Sequence, residues 1–321
     1  SPSGAVDIFL NSNPTGSIGD VTVDEDAPDT VIDLDAAFSD LEHADNELTY
    51  SLIGYSSPTF LDSANVDNGA GTLTLDYAAE QHGTTTITVR ATDARGESTD
   101  VTFNVTVNSI EDAPIISGGP ATSSLTETDS SLTDSGTFTV SDSDIADEVT
   151  AAVDSVAVSG TGASSVPGSL NNATLQSFLA VSPTAILDGT ETSDTLTWNF
   201  NSGTKAFDFL ADGETLVLTY TISVTDDSGS TLSDTETVTV TITGTNDSPD
   251  VFVDTGDSAA ESLTETDTTL TTTGTLSVGD LDLTDVVTSD VTGVVASGTT
   301  TGLASANAAL QAMLSSTGSV V

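Results

Sequence analysis

Residues 216–224, Leu-Val-Leu-Thr-Tyr-Thr-Ile-Ser-Val, place Leu216, Leu218, Tyr220, Ile222 and Val224 at every second position, with Val, Thr and Ser between them. Successive side chains of a strand point to opposite faces, so this stretch reads as a half-buried antiparallel strand. The same period runs through Val238, Val240 and Ile242, and earlier through Val101, Phe103, Val105 and Val107. Threonine, β-branched and polar, fills most outward positions and suits a solvated sheet face. Clusters of Asp, Gly and Ser supply the turns between these runs. The reading is an all-β chain of tandem antiparallel β-sandwich domains. Helical signal is confined to NNATLQSFL (171–179) and ASANAALQAML (304–314), each worth two or three turns and read as one short helix inside each repeat.

The chain writes one passage twice. LTETDSSLTDSGTFTVSDSDIADEVT, from Leu125, returns as LTETDTTLTTTGTLSVGDLDLTDVVT, from Leu263. Solenoid units run about 20 to 50 residues, so a period this much longer implies whole domains in series. Boundaries fall where a strand gives way to acids or amides and a proline: NSNP (11–14), SIEDAP (109–114) and NDSP (246–249). The expected organisation is a residual strand and linker at 1–13, one sandwich at 14–114, a second at 115–250, and an incomplete repeat at 251–321. The last lacks counterparts of the strands around Leu196, Leu216 and Val238 and is expected to have open edges, completed by further sequence or by another chain. The first residue is Ser and no export signal follows, so the sequence reads as a piece of a longer protein.

Fifty acidic residues against three basic ones give a formal charge of -47. Nucleic acid is excluded as a partner, because phosphate binding needs clustered Lys and Arg, and an anionic membrane would repel the chain. Yet 36% of residues are hydrophobic, enough to bury cores, unlike a disordered acidic tail. There is no cysteine, hence no disulfide framework, and no apolar run long enough for a membrane span.

The acids are ordered. The first domain has Glu25, then Asp40, Glu42 and Asp45, then Asp93; the second has Glu127, then Asp142, Asp144 and Asp147, then Asp226 and Asp227. Linker acids Glu111 and Asp112, and then Asp247, fall between these sets. Carboxylates held close together repel unless a cation neutralises them. Six to eight hard oxygen ligands suit Ca²⁺, whereas Zn²⁺ prefers His or Cys, and only His43 and His82 are present. For a single acid such as Asp45 or Asp147, capping its own turn is the plainer reading.

The NDSP linker, the Glu-bearing first strand, the D-x-D loop and the ATDARG turn (91–96) resemble bacterial cadherin-like repeats. The stretch 196–249, LTWNFNSG through VTVTITGTNDSP, is similar to the VCBS repeat found in large RTX-type bacterial surface adhesins. This resemblance implies cadherin- or Ig-like sandwiches with Ca²⁺ at the joints between them. It assigns the middle joint to Glu25, Asn108, Glu111, Asp112, Asp142, Asp144 and Asp226, and the next to Glu127, Asn246, Asp247, Asp280 and Asp282. A joint ahead of the first domain takes Asn11, Asn13, Asp40, Glu42 and Asp93. The D-R-E triplet of animal cadherins has no match, Asp76 being the nearest candidate.

Other chemistries find no constellation. EF-hand, Walker, dinucleotide and nucleophile-elbow strings are lacking. Trp198 lies in an alternating strand and reads as core, and Tyr50, Tyr55 and Phe60 read as core before they read as a sugar-stacking patch. The expected function is therefore non-enzymatic: a calcium-rigidified spacer of a long extracellular adhesin or biofilm matrix protein at the bacterial surface, whose partners are neighbouring repeats. The alternatives are a polysaccharide- or self-binding module, or a calcium-dependent filament subunit that donates the strand Val6–Leu10.

Overall fold

The computed structural model describes residues 11–55, 58–118, 121–229, 232–301 and 307–316. The expected strand at Val6–Leu10 lies outside them. The chain divides into two compact units, Ser1–Asp112 and Ala113–Val321.

In the first unit a four-stranded sheet runs in the order Val21–Asp24, Ser98–Asn108, Gly83–Thr92, Thr49–Tyr55. A three-stranded sheet, Thr30–Asp33, Thr72–Tyr77, Leu61–Asp67, covers it. Alternation decides which residues meet between the two: Leu73, Leu75 and Tyr77 from one sheet, Ile87, Val89, Phe103, Val105 and Val107 from the other, all buried. Each such aliphatic or Phe side chain contributes about 1.5–3 kcal/mol when fully removed from water. Tyr50 and Phe60 belong to this core, which removes them from any sugar-stacking patch.

The second unit repeats the plan on a larger scale. A five-stranded sheet, Thr122–Thr126, Ser233–Thr243, Thr215–Thr225, Glu148–Ser159, Ala185–Asp188, faces a four-stranded one, Ile115–Ser117, Thr133–Ser141, Ser193–Asn201, Leu179–Ser182. Leu216, Leu218, Tyr220, Ile222 and Val224 are wholly buried, as the alternation requires. Trp198 is core, and in the same cluster Phe178 meets Phe200 and Phe207 edge-on, as Phe200 does Tyr220. A helix of five residues, Asn172–Gln176, begins where Asn171 accepts the amide of Thr174 at 3.0 Å. The Tyr220 hydroxyl donates to the Leu175 carbonyl at 2.9 Å and pins this helix to the core.

One pairing is shared by both units and fixes where their sites lie. The first long strand is parallel to the last: Val21–Asp24 with Val105–Asn108, and Thr122–Thr126 with Thr239–Thr243. The remaining pairings are antiparallel. In each unit the chain consequently enters at one end, called here the leading end, and leaves at the other, the trailing end.

Beyond Phe252 regular structure thins out. Asp250–Phe252 pairs with Ser277–Gly279, the same antiparallel contact that Ile115–Ser117 makes with Thr139–Ser141. The short helix Asn307–Gln311 also recurs, and Gln311 donates to the Val291 carbonyl as Gln176 does to that of Val153. Val251, Val253, Leu276, Leu281, Leu283 and Val286 remain exposed in this stretch. Among the described residues no helix is long and apolar enough to cross a membrane.

Candidate metal centres

Carboxylates gather at both ends of each sandwich, and the strand order explains why. Glu25 and Glu127 each follow the last residue of the first long strand, beside the final residues of the last strand. Their backbone amides donate to Asn108 O (2.9 Å) and Thr243 O (2.8 Å). Their side chains turn toward the outgoing chain: Glu25 Oε1 accepts from Ile110 N at 2.7 Å, and Glu127 Oε2 from Thr245 N at 3.0 Å and Thr245 Oγ1 at 2.7 Å. Both carboxylates are buried.

The trailing end of the second unit is the fullest cluster. Asp247 N donates to Asp282 Oδ2 at 2.7 Å, and Asp282 N donates to Asp280 Oδ1 at 3.1 Å. Glu127, Asp129 and Asp208 each bring a carboxylate oxygen within 4.8 Å of the others. Asp282 is 2% exposed and Glu127 1%. Nevertheless, Asp208 Oδ1, Asp247 Oδ2 and Asp282 Oδ1 are buried with no hydrogen-bond partner. Burial pushes Asp208, Asp247 and Asp282 above the usual carboxylate range, and neighbouring carboxylates push them further: Glu127 and Asp129 act on Asp208, Glu127 and Asp282 on Asp247, Asp285 and Asp280 on Asp282. Asn246, exposed, donates its side-chain amide to its neighbour's carbonyl.

At the leading end of the second unit, Asp142 Oδ1 accepts from Asp144 N at 3.0 Å. Asp226 Oδ1 accepts from Ser228 N and Leu232 N, both within 3.1 Å, so the turn after Thr215–Thr225 is wound around one oxygen. The other oxygens, Asp142 Oδ2 and Asp226 Oδ2, are buried and unpartnered. Asp142, Asp147 and Asp226 bring ligand atoms within 4.8 Å of one another. Burial raises Asp142, and the charges of Asp147, Asp144 and Asp226 add to the rise, against the opposing Asp144 amide.

The leading end of the first unit uses the same loop. Glu42 N donates to Asp40 Oδ1 at 2.9 Å, the third instance of this amide-to-Asp contact in a D-x-[DE] loop. Asp93 Oδ1 accepts from Arg95 N and Glu97 N, and Asp93 Oδ2 from Asn11 Nδ2 at 2.6 Å. Burial raises both Asp40 and Asp93, but hydrogen bonds outweigh it and hold them below the usual range: Glu42 and His43 on Asp40, Asn11, Arg95, Glu97 and Gly96 on Asp93. Glu42 is turned to Ser12, whose hydroxyl donates to it at 2.6 Å, and Asn13 donates to the Ser98 carbonyl.

At the first unit's trailing end Asn108 donates its side chain to Asp24 at 3.0 Å, and Glu111 and Asp112 follow directly on the Ile110 amide that Glu25 holds. Asp76 is within the strand Thr72–Tyr77, on the face away from the core, and joins none of these clusters.

Four ligand-type residues of these clusters were not assigned from sequence: His43, Asp129, Asp147 and Asp208. Asp129 stands two positions after Glu127 in the repeated LTETD. Asp208 lies between the buried Phe207 and Phe209, and Phe207 adopts φ 71°, a backbone state uncommon for a bulky residue. An acid flanked by two core aromatics was the available signal, since it must face away from the core they occupy.

No protein-family model matches the chain, and no curated protein matches it. Structural neighbours are cadherin extracellular domains at low identity. They include domains 1–5 of protocadherin gamma B2, at 15% identity and TM-score 0.42, covering 89% of this chain and 50% of that one. Human CDH23 EC21-23 is similar at 16% identity and TM-score 0.37, covering 84% and 81%. An endo-fucoidan hydrolase of glycoside hydrolase family 107 is similar at 17% identity and TM-score 0.27, over 76% of this chain and 30% of the enzyme. The chain thus spans less than a third of that hydrolase and half of that protocadherin fragment.

Proposed function

We propose that the chain is a calcium-rigidified spacer in an extracellular adhesin of the cadherin-like and VCBS type, binding Ca²⁺ at the ends of its sandwiches and catalysing no reaction. The observation that carries this reading is the set of buried carboxylate oxygens without partners, Asp142 Oδ2 and Asp226 Oδ2 at one end, Asp208 Oδ1, Asp247 Oδ2 and Asp282 Oδ1 at the other. A buried polar atom left unpaired is costly, and two unit charges about 4 Å apart repel by about 4 kcal/mol at an effective dielectric of about 20. A divalent cation answers both penalties. The donors are all oxygens, carboxylates with backbone carbonyls nearby, which fits Ca²⁺.

Glu127, Asp208, Asp247, Asp280 and Asp282 would hold the ion at the trailing end of the second unit; Asp142, Asp144 and Asp226 would supply ligands at its leading end, and Glu25, Asn108, Glu111 and Asp112 at the trailing end of the first unit. Asn246 and Asn13 enter as linker carbonyl donors. Residues 251–316 read as the opening of a further repeat, which the recurring Gln311 and Gly279 contacts support.

Small-angle scattering and thermal melting in millimolar calcium, then in chelator at equal ionic strength, test the reading. Extracellular calcium modules bind at about 10⁻⁴–10⁻³ M, so at ten to a hundred times the dissociation constant each site adds about 1.4–2.7 kcal/mol. A higher melting point and a changed scattering profile with calcium are expected. Superimposable profiles and equal melting points would remove the proposal.

A second reading, a filament subunit assembling by strand addition, draws on the exposed apolar residues Val251, Val253, Leu276 and Leu283.

A further inference from the structure

The leading end of the first unit differs from the clusters of the second unit in one atom type. His43 brings an imidazole nitrogen into it, with Nδ1 3.0 Å from Asp40 Oδ1 and 3.9 Å from Asp93 Oδ2. The side chains of Asp40 and Asp93 are fully buried and that of His43 is 12% exposed. Each of the three offers an atom within 4.8 Å of the others.

Hydrogen bonds alone leave this cluster incomplete. Asp40 Oδ1 already accepts three contacts, from the amides of Glu42 and His43 and from the His43 ring. Asp40 Oδ2 nonetheless is buried and has no partner, and Asn11 Oδ1 is in the same condition. Two orphaned oxygens, one on a side chain with no solvent exposure, therefore adjoin a nitrogen and a second carboxylate.

We propose that Asp40, His43, Asp93 and Asn11 form a site for a borderline divalent transition ion of the zinc type, separate in metal preference from the all-oxygen clusters. Zinc binds nitrogen and oxygen at about 2.0–2.2 Å in a tetrahedron, which makes ligand-to-ligand edges of about 3.4 Å. The two edges from His43 Nδ1 straddle that length. Calcium takes six to eight oxygens at about 2.3–2.6 Å and gains little from an imidazole, whereas borderline ions bind it well. Four donors of mixed type suit a small tetrahedral ion and underfill a calcium shell. Ligation through Nδ1 requires that nitrogen to be free of a proton, which the tautomer carrying its hydrogen on Nε2 supplies.

The test uses the full chain, stripped with chelator, and titrated with Zn²⁺ by calorimetry and with Co²⁺ by visible absorption. One zinc equivalent is expected to bind at least about tenfold more tightly than in His43→Gln, and the tetrahedral Co²⁺ bands should vanish in that variant. His82→Gln serves as control, since His82 lies 3.7 Å from Glu25 at the opposite end of the unit and should change neither readout. Should His43→Gln fold poorly, the His43 ring resonances of the unaltered protein, shifted by zinc and unmoved by millimolar calcium, carry the same information. Zinc affinity unchanged by His43→Gln, or several weak equivalents with no Co²⁺ band, would overturn the proposal. Calcium titrations of the same samples report on the oxygen clusters, so a failure of either reading is seen without the other.

Discussion

The side chains that define the ends of the sandwiches are under electrostatic tension. Asp142, Asp208, Asp247 and Asp282 hold their protons to higher pH in the folded chain than in the unfolded one, first because they are buried and then because they face one another. The folded state therefore binds more protons across the range above the ordinary carboxylate value. Stability without metal falls as pH rises through that range and returns on acidification. Asp40 and Asp93 act in the opposite sense: their contribution is present above the ordinary value and is lost as pH falls through their lowered ones. The chelated protein should accordingly melt higher near about pH 5 than near pH 7. Asp282→Asn should shrink that gain, raise the melting point in chelator and lower it in calcium; a variant that melts lower in both would assign Asp282 a purely structural part. At this scale the sequence spoke unevenly. Asp142, Asp226 and Asp282 were recognisable because their order repeats, but Asp208 was not, because nothing in FDFL tells which end of a sandwich that loop visits. His43 likewise carried no motif, and only the fold brings it to Asp93.

Elements were legible wherever a period of two persisted. Thr215–Thr225 and Ser233–Thr243 follow directly from their alternation, and the Thr-rich outer faces follow with them. The helices were overdrawn: nine residues of helical pattern from Asn171 yield five in the structure. Phe178 is drawn into the core and Leu179 opens a strand that pairs with Phe200, so sheet pairing takes over the residues that propensity assigned to the helix. Another element-level requirement is the flat contact between Thr133–Ser141 and Ser193–Asn201. Gly136 is the register partner of Trp198, and a Cβ there would stand 2.6 Å from the indole ring. Gly136→Ala should destabilise the second unit by about 1–3 kcal/mol through overpacking, read as a lower denaturant midpoint with unchanged slope. A midpoint equal to the parent's would mean the indole shifts without cost.

For the molecule as a whole, the formal charge of -47 and the partnerless oxygens are separate matters. Monovalent salt screens the first over a Debye length of about 8 Å at physiological strength, but it does not coordinate the second. The parallel pairing of first and last strands has a mechanical meaning. A pull on the two ends of either unit drags Val21–Asp24 against Val105–Asn108, or Thr122–Thr126 against Thr239–Thr243, along their own length. The hydrogen bonds of that pair are loaded in shear and share the force, whereas a pair peeled from one end would lose its bonds singly. Single-molecule stretching should record a high rupture force for each unit, and a low, gradual one would contradict the shear geometry. Glu25 and Glu127 are fastened where that force leaves the sheet, so an ion seated beside them would act as a clamp on a tether under tension.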